Sequence, residues 1–222
     1  MIVAGHQPNY LPWLGFFDKM RGCDLFIVED SVFLETKGFT ARNKIKGSQG
    51  NFWLTVPTEH VGWQVPINEV RIACKGKSDW SKQHYLSMKY SYCKAPYWKD
   101  YQDFFEQSYK LEWIKFVELS MHFITAIKRF LNIKTPIVMA SSLAASGTKS
   151  DLIIAQCKEV GATTYLSGIG AKDYLEVGKF EEQGIDVVFQ SFEHPVYQQL
   201  YGEFVPNLSV VDYLFNTGGK SW

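Results

Sequence analysis

Residues 6–13 read His6-Gln7-Pro8-Asn9-Tyr10-Leu11-Pro12-Trp13, which places an imidazole, two amides and a phenol within five residues. Such a set can orient a substrate and move protons. The two prolines pre-set the loop, because each locks φ near about −65° and restricts the residue before it. The short apolar run Ile2-Val3-Ala4, ended by Gly5, reads as the strand that delivers them. Polar groups at a strand's carboxyl end sit where open α/β sheets bind ligands. His6 is therefore expected as base or charge stabiliser, with Gln7, Asn9, Tyr10 and Trp13 contacting substrate. The plain alternative is a buried strand running into a proline-rich connection, with a core histidine.

A second candidate is Ser167-Gly168-Ile169-Gly170-Ala171-Lys172-Asp173-Tyr174. A Gly-x-Gly turn entering a helix aims backbone N–H groups at an anion, so Ser167, Gly168, Gly170 and Lys172 are expected to hold phosphate. The turn lacks the third glycine of the dinucleotide fingerprint and is no Walker loop. Arg42 and Asn43, beside Lys44 and Lys46, form the one compact basic cluster, suited to clamping phosphate or carboxylate. Asp30, at a strand end, is a candidate ribose or amine partner. His194, with Pro195 and Tyr197 in a rigid aromatic segment, and His84, one helical turn after Trp80, are further acid–base candidates. Each of these clusters also has an ordinary reading as a solvated turn, a solvated hairpin or a core histidine. His60 and His122 stand without supporting pattern and read as structural.

Several chemistries find no local signature. No G-x-S-x-G elbow, H-E-x-x-H or dense carboxylate pair is present. Cys23, Cys74, Cys93 and Cys157 lie far apart without histidines nearby, so neither zinc nor a disulfide framework is expected, and they read as buried apolar residues. Lys plus Arg and Asp plus Glu both number 23, which gives no whole-protein attraction to nucleic acid or anionic lipid. RNA binding is disfavoured on that ground. No stretch approaches the roughly 18 apolar residues of a membrane span. A cytoplasmic protein acting on a small-molecule substrate is expected.

The elements that position these residues alternate. Apolar runs at Ile2–Ala4, Leu25–Val28, Ile137–Ala140, Thr163–Leu166 and Val187–Phe189 are separated by helical patterns at Trp13–Arg21, Leu152–Val160 and Tyr174–Gln183. Gly22, Gly161 and Gly184 are placed to end those helices. This predicts a doubly wound, mainly parallel, Rossmann-like sheet in a single α/β domain covering 1–222. A hairpin is expected from Phe39–Lys46 and Phe52–Pro57 around Gly47–Asn51, and a further strand at Ile67–Ile72. Aromatic and aliphatic residues at helical spacing predict a mostly helical insertion at about 75–132.

Four segments, HQPNYLPWLGFFDKM at 6–20, NFWLTVP at 51–57, YLSGIGAKDYL at 165–175 and HPVYQQLYGEFVPNLSVVDYLFNTGG at 194–219, make the chain resemble the WbqC-like proteins from end to end. That resemblance implies a role in bacterial surface-polysaccharide or O-antigen synthesis: transfer of an acyl or aminoacyl group to an amino-sugar nucleotide, or formation of that amide with nucleotide activation. A nucleotide or nucleotide-sugar would then be a substrate, with no permanently bound cofactor. The rival expectation, favoured by the aromatic content of 16%, is a non-catalytic carbohydrate or glycan-assembly binding protein.

Overall fold

The computed structural model describes residues 1–35, 38–59, 65–73, 79–220 and 222. The chain opens with β1 (Ile2–His6), α1 (Leu14–Arg21) and β2 (Leu25–Val28), then the hairpin β3 (Arg42–Gly47) and β4 (Gly50–Thr55). Three helices follow, α2 (Trp80–Tyr92), α3 (Trp98–Lys110) and α4 (Phe116–Phe130). The last part runs β5 (Ile137–Met139), α5 (Lys149–Glu159), β6 (Thr164–Ser167), α6 (Val177–Glu181), β7 (Asp186–Phe189) and α7 (Val210–Thr217). Five strands form one parallel sheet in the order β5-β2-β1-β6-β7, flanked by helices, and β3 and β4 pair separately and antiparallel. The sheet is the one expected from the apolar runs.

Strand periodicity decides which face each residue serves. Ala4, Phe26 and Val28 pack with Phe16, Phe17 and Met20 of α1 in the large core, which also takes in the hairpin and α2, α3, α4 and α7. Val3 and Ile27 face the other way, with Ala140 and Val160. Tyr165 shares that second side with Ile154 and Cys157 of α5 and Phe180 of α6. Each fully buried side chain of this size contributes about 1.5–3 kcal/mol relative to exposure. Register is therefore fixed, since a slip of one residue would turn the apolar set outward.

Some expected elements differ. Ile67–Glu69 is a 3-10 turn, and Ile72 and Arg71 make only isolated bridges to Thr58 and Lys115. Pro66 at its start has no N–H to give a ladder, Ile67 packs beside α4, and the backbone of 70–73 bonds to 57–59 and 114–116 in short bridges rather than in a full strand. The helix after β6 covers only Val177–Glu181. The hairpin turn is tighter than expected, with Gly47 paired directly to Gly50. Cys23 and Cys157 are buried, but Cys93 is exposed at the end of α2, and Cys74 and His60 lie outside the described residues. The expected start of the helical insertion, near 75, also lies outside them. Among the described residues no helix is long and apolar enough to cross a membrane.

The loop between β1 and α1 is held from three directions. Tyr10 N–H donates to the Thr40 carbonyl at 2.7 Å, and the Leu11 carbonyl accepts from Asn43 Nδ2 at 2.7 Å and Ser209 Oγ at 2.8 Å. Val210 N–H donates to the Pro12 carbonyl at 2.9 Å. These contacts hold Leu11 at φ +44°, a left-handed conformation costly for a branched residue, which persists only where its surroundings over-determine it. Asn43→Ala leaves the buried Leu11 carbonyl one donor short and should lower unfolding free energy by about 1–3 kcal/mol. Urea titration checks this; a midpoint within error of the parent would show that Ser209 alone suffices.

Candidate functional site

The strand order reverses between β1 and β6: the chain moves from β1 toward β2 and β5 on one side, and later from β6 to β7 on the other. Open α/β sheets bind ligands at the carboxyl ends of strands flanking such a point. Here β1 and β6 part after the Ala4–Leu166 pair, while Gly5 and His6 stay paired with Ile27 and Val28, and Ser167 with Phe189. The parting leaves the Gly5 carbonyl without a strand donor. Lys19, reaching from α1, donates to it from Nζ at 2.8 Å.

Lys19 is 5% exposed, and the Gly5 carbonyl is the one hydrogen-bond acceptor its ammonium has among the described residues. Burial pushes its pKa down to about 8, against the attraction of Cys23 and Glu29. On the far side of the gap, a Cβ added to Gly168 would lie 3.7 Å from Lys19 Nζ. Gly168 thus leaves backbone next to the ammonium. Glu29, just past β2, crosses Gly5 so closely that a Cβ there would meet Oε1 at 2.8 Å. Its Oε2 accepts from Gln156 Nε2 of α5 at 3.0 Å, and Oε1 accepts no hydrogen bond among the described residues. Burial raises the Glu29 pKa, with Asp30 adding to it and Gln156 and Lys19 opposing.

His6 packs edge-on against Phe16 at 5.0 Å, and its Nδ1 lies 3.0 Å from the Gln7 carbonyl. A carbonyl only accepts, so Nδ1 carries the proton and Nε2 presents a lone pair. Burial first, and then Lys19, push its pKa down to about 3. His6 is thus uncharged near neutrality and does not supply positive charge; Lys19 is the cation at this edge. Neither Lys19, Glu29 nor Gln156 was singled out in the sequence. The one sequence signal that could have found any of them is Glu29 itself, a carboxylate at the strand end one residue before the chosen Asp30.

The other expected site residues divide among different places. Gln7 Oε1 accepts from Thr40 Oγ1 at 2.6 Å, and Asn9 is buried with its Oδ1 unpartnered among the described residues. Trp13 lies over Gly15 and edge-on to Phe192 at 5.4 Å, beneath the segment after β7. Ser167 is buried at the β6 end. The turn after it is a single 3-10 turn, Ile169–Ala171, and no α-helix starts there, so the helix-start rationale for a phosphate cradle is absent. Gly170 meets nothing, and exposed Lys172 sits 5.8 Å over the Phe189 ring.

Tyr10 and His84 meet, but in the aromatic core: the Tyr10 hydroxyl is 2.9 Å from His84 Nδ1 and also bonds the Tyr109 hydroxyl. Trp80, Tyr109 and Phe123 enclose the pair. Burial lowers the His84 pKa to about 4, with a hydrogen bond to the Thr55 backbone opposing. Asp30 is saturated by Ser141, from N at 2.8 Å and Oγ at 2.6 Å. Asn43 fixes the loop as described. Arg42 stacks its guanidinium 4.4 Å over Trp53 on the outer hairpin face. His194 packs with Phe192, Tyr197 and Phe204, and the Tyr197 hydroxyl donates to buried Asp212 at 2.7 Å. No hydrogen bond or ring contact joins His194 to His6 among the described residues. Nor do three His, Cys, Asp or Glu side chains gather as a metal site among them.

A five-stranded parallel sheet flanked by helices, with polar and ionisable groups at its switch point, defines a Rossmann-like α/β protein. The chain belongs to the WbqC-like protein family, whose model matches residues 7–222. It is 31% identical, over 99% of its length and 95% of the relative's, to the uncharacterized protein Rv1507c of Mycobacterium tuberculosis (strain ATCC 25618 / H37Rv). No solved structure matches the chain.

The two buried histidines make stability depend on pH. Unfolded, each titrates near its ordinary 6.5; folded, His6 titrates at about 3 and His84 at about 4. Below pH 6.5 the unfolded chain therefore binds more protons, and stability falls by about 1.4 kcal/mol per pH unit for each histidine until the folded state titrates too. Urea unfolding between pH 6.5 and 5 should show the histidine contribution as a steeper fall in the parent than in His84→Gln, the raised carboxyls of Glu29 and Asp212 opposing it equally in both. A pH dependence identical in parent and variant would contradict an uncharged folded His84.

Proposed function

We propose that the edge between β1 and β6 binds a nucleotide or nucleotide-sugar, and that the protein transfers an acyl or aminoacyl group to an amine of such a substrate in the synthesis of a bacterial surface polysaccharide. The observation that carries the reading is Lys19: a buried ammonium with one hydrogen bond, set at the switch point beside backbone at Gly168. A buried cation so sparsely satisfied is costly unless an anion completes its shell. The two N–H donors that Lys19 leaves unused fit a phosphate or carboxylate. Uncharged His6 offers Nε2 to the acceptor's N–H, and Asn9 and Gln7 line the same loop. The polysaccharide context comes from the family resemblance, and the acyl or aminoacyl chemistry from the expectation attached to it.

A glycan-binding role without turnover is the second reading. One observation favours it: Trp53 is 37% exposed on the hairpin's outer face, with Phe39 at 5.3 Å and Lys44 Nζ 4.8 Å from its ring. Partly exposed aromatics bordered by Arg42 and Lys44 can contact a sugar through the ring surface those cations leave open.

Calorimetric titration with nucleoside diphosphates and nucleotide-sugars tests the first reading. Lys19→Met, which keeps the apolar stem, should weaken binding by about 1.5–3 kcal/mol, the worth of a hydrogen bond to a charged group. Lys172→Ala, at the exposed rim, should cost less. Binding that survives Lys19→Met unchanged, or is lost instead in Trp53→Ala, would move the site away from the switch point.

A further inference from the structure

Three polar atoms at the switch point lack a partner among the described residues, and all three are acceptors: Glu29 Oε1, Gln156 Oε1 and His6 Nε2. Gln156 is the telling one. It is 2% exposed, so a carbonyl oxygen left without a donor costs about 1–3 kcal/mol. Its own amide is committed to Glu29 Oε2 at 3.0 Å, which holds the carboxyl in place and leaves Oε1 turned to the Gly5 side. The Lys19 ammonium lies across Gly5 as a donor. The edge thus carries Glu29 and Gln156 on the α5 side of β1, and the cation together with His6 on the α1 side.

We propose that Glu29 binds a primary amino group of the substrate, held in position by Gln156, while Lys19 binds its anionic group. The proposal rests on the reading of this edge as a small-molecule site and narrows the substrate class to molecules bearing an amine near a phosphate or carboxylate. A carboxylate and an amide oxygen together are acceptor-only when the carboxyl is ionised, so they favour an ammonium over an acylated nitrogen, which has one N–H and no charge. Gly5 is part of the device: any side chain there would collide with Glu29 Oε1 at 2.8 Å. An arriving ammonium also offsets the burial that raises the Glu29 pKa, so binding should release protons when Glu29 is partly protonated beforehand.

Calorimetry with four probes tests this. UDP-glucosamine should bind at least about tenfold more tightly than UDP-N-acetylglucosamine, the ratio expected for one charge-assisted hydrogen bond. O-phosphoethanolamine should likewise exceed ethyl phosphate. In Glu29→Gln, which can still accept from Gln156, the preference should collapse toward unity while affinity for the two amine-free probes stays within about twofold; retained affinity for those probes shows that the variant is folded. Equal binding of amine and amine-free probes by the parent protein overturns amine recognition. So does a preference that survives Glu29→Gln. An amine preference seen with O-phosphoethanolamine but no binding of either nucleotide-sugar would support this inference and overturn the nucleotide-sugar reading alone, and failure of all four probes to bind overturns both.

Discussion

The hydrogen bond from Lys19 to the Gly5 carbonyl is the contact on which the switch-point edge depends. Parallel strands that separate leave backbone groups that need partners, and a carbonyl facing a gap is normally met by water or a side chain. Here a lysine from α1 meets it, so the helix, the parting of the strands and the buried charge are one arrangement. A cation placed there by folding is more expensive than a serine or asparagine doing the same duty. The field of Glu29, felt across Gly5, offsets part of that cost, although no carboxylate comes close enough to form an ion pair with Lys19 among the described residues. Stability alone would have favoured a neutral donor, and the retained charge is what points to a ligand.

A second buried polar network shows what complete satisfaction looks like in the same molecule. Asp212, fully buried in α7, accepts from Tyr92, Tyr197 and Gln199, and Lys46 Nζ donates to Gln199 Oε1 at 3.0 Å and to the Glu203 carbonyl. Gln199 also exchanges hydrogen bonds with both backbone groups of Val205. That network closes on itself and fastens the segment between β7 and α7 to the hairpin. Glu29, Gln156 and Lys19 form no such closed set. The contrast separates polar groups that hold the fold from those left open at an edge, and it does so without reference to sequence motifs.

Much of the fold could be read from the chain because short apolar runs bounded by glycine have few alternatives: Ile2–Ala4, Leu25–Val28 and Val187–Phe189 are too short for helices and too apolar for loops. The Ile67–Ile72 stretch mixes three apolar residues with Asn68, Glu69 and Arg71 and begins as a turn, since nothing in local pattern reveals whether a partner strand exists. The site was less legible. His6 and Gly168 do lie at the edge, but Asp30 and Glu29 are neighbours in sequence, and only the sheet shows that Asp30 is consumed by Ser141 while Glu29 is not. Tyr10 belongs to the same loop as His6, but its partner His84 is 74 residues away, and that contact draws it into the core. Lys19 sits in a helix whose pattern allows a solvated lysine; its burial comes from the strand gap above it, a tertiary feature.

Strand parity then constrains how any ligand can lie. Ala4 faces the α1 side, so His6, two residues on, does too, and Phe16 confirms the side by packing on its ring. Val28 also faces α1, which sends Glu29 to the α5 side, where Gln156 meets it. His6 and Glu29 therefore flank the sheet's carboxyl edge from opposite faces. A molecule touching both has to straddle the edge over Gly5, the one position in β1 where the absence of a side chain leaves room for Glu29. Lys19 donates to the Gly5 carbonyl at that point, so the ammonium and the Glu29 carboxyl reach the same residue of β1, one from the α1 side and one from the α5 side.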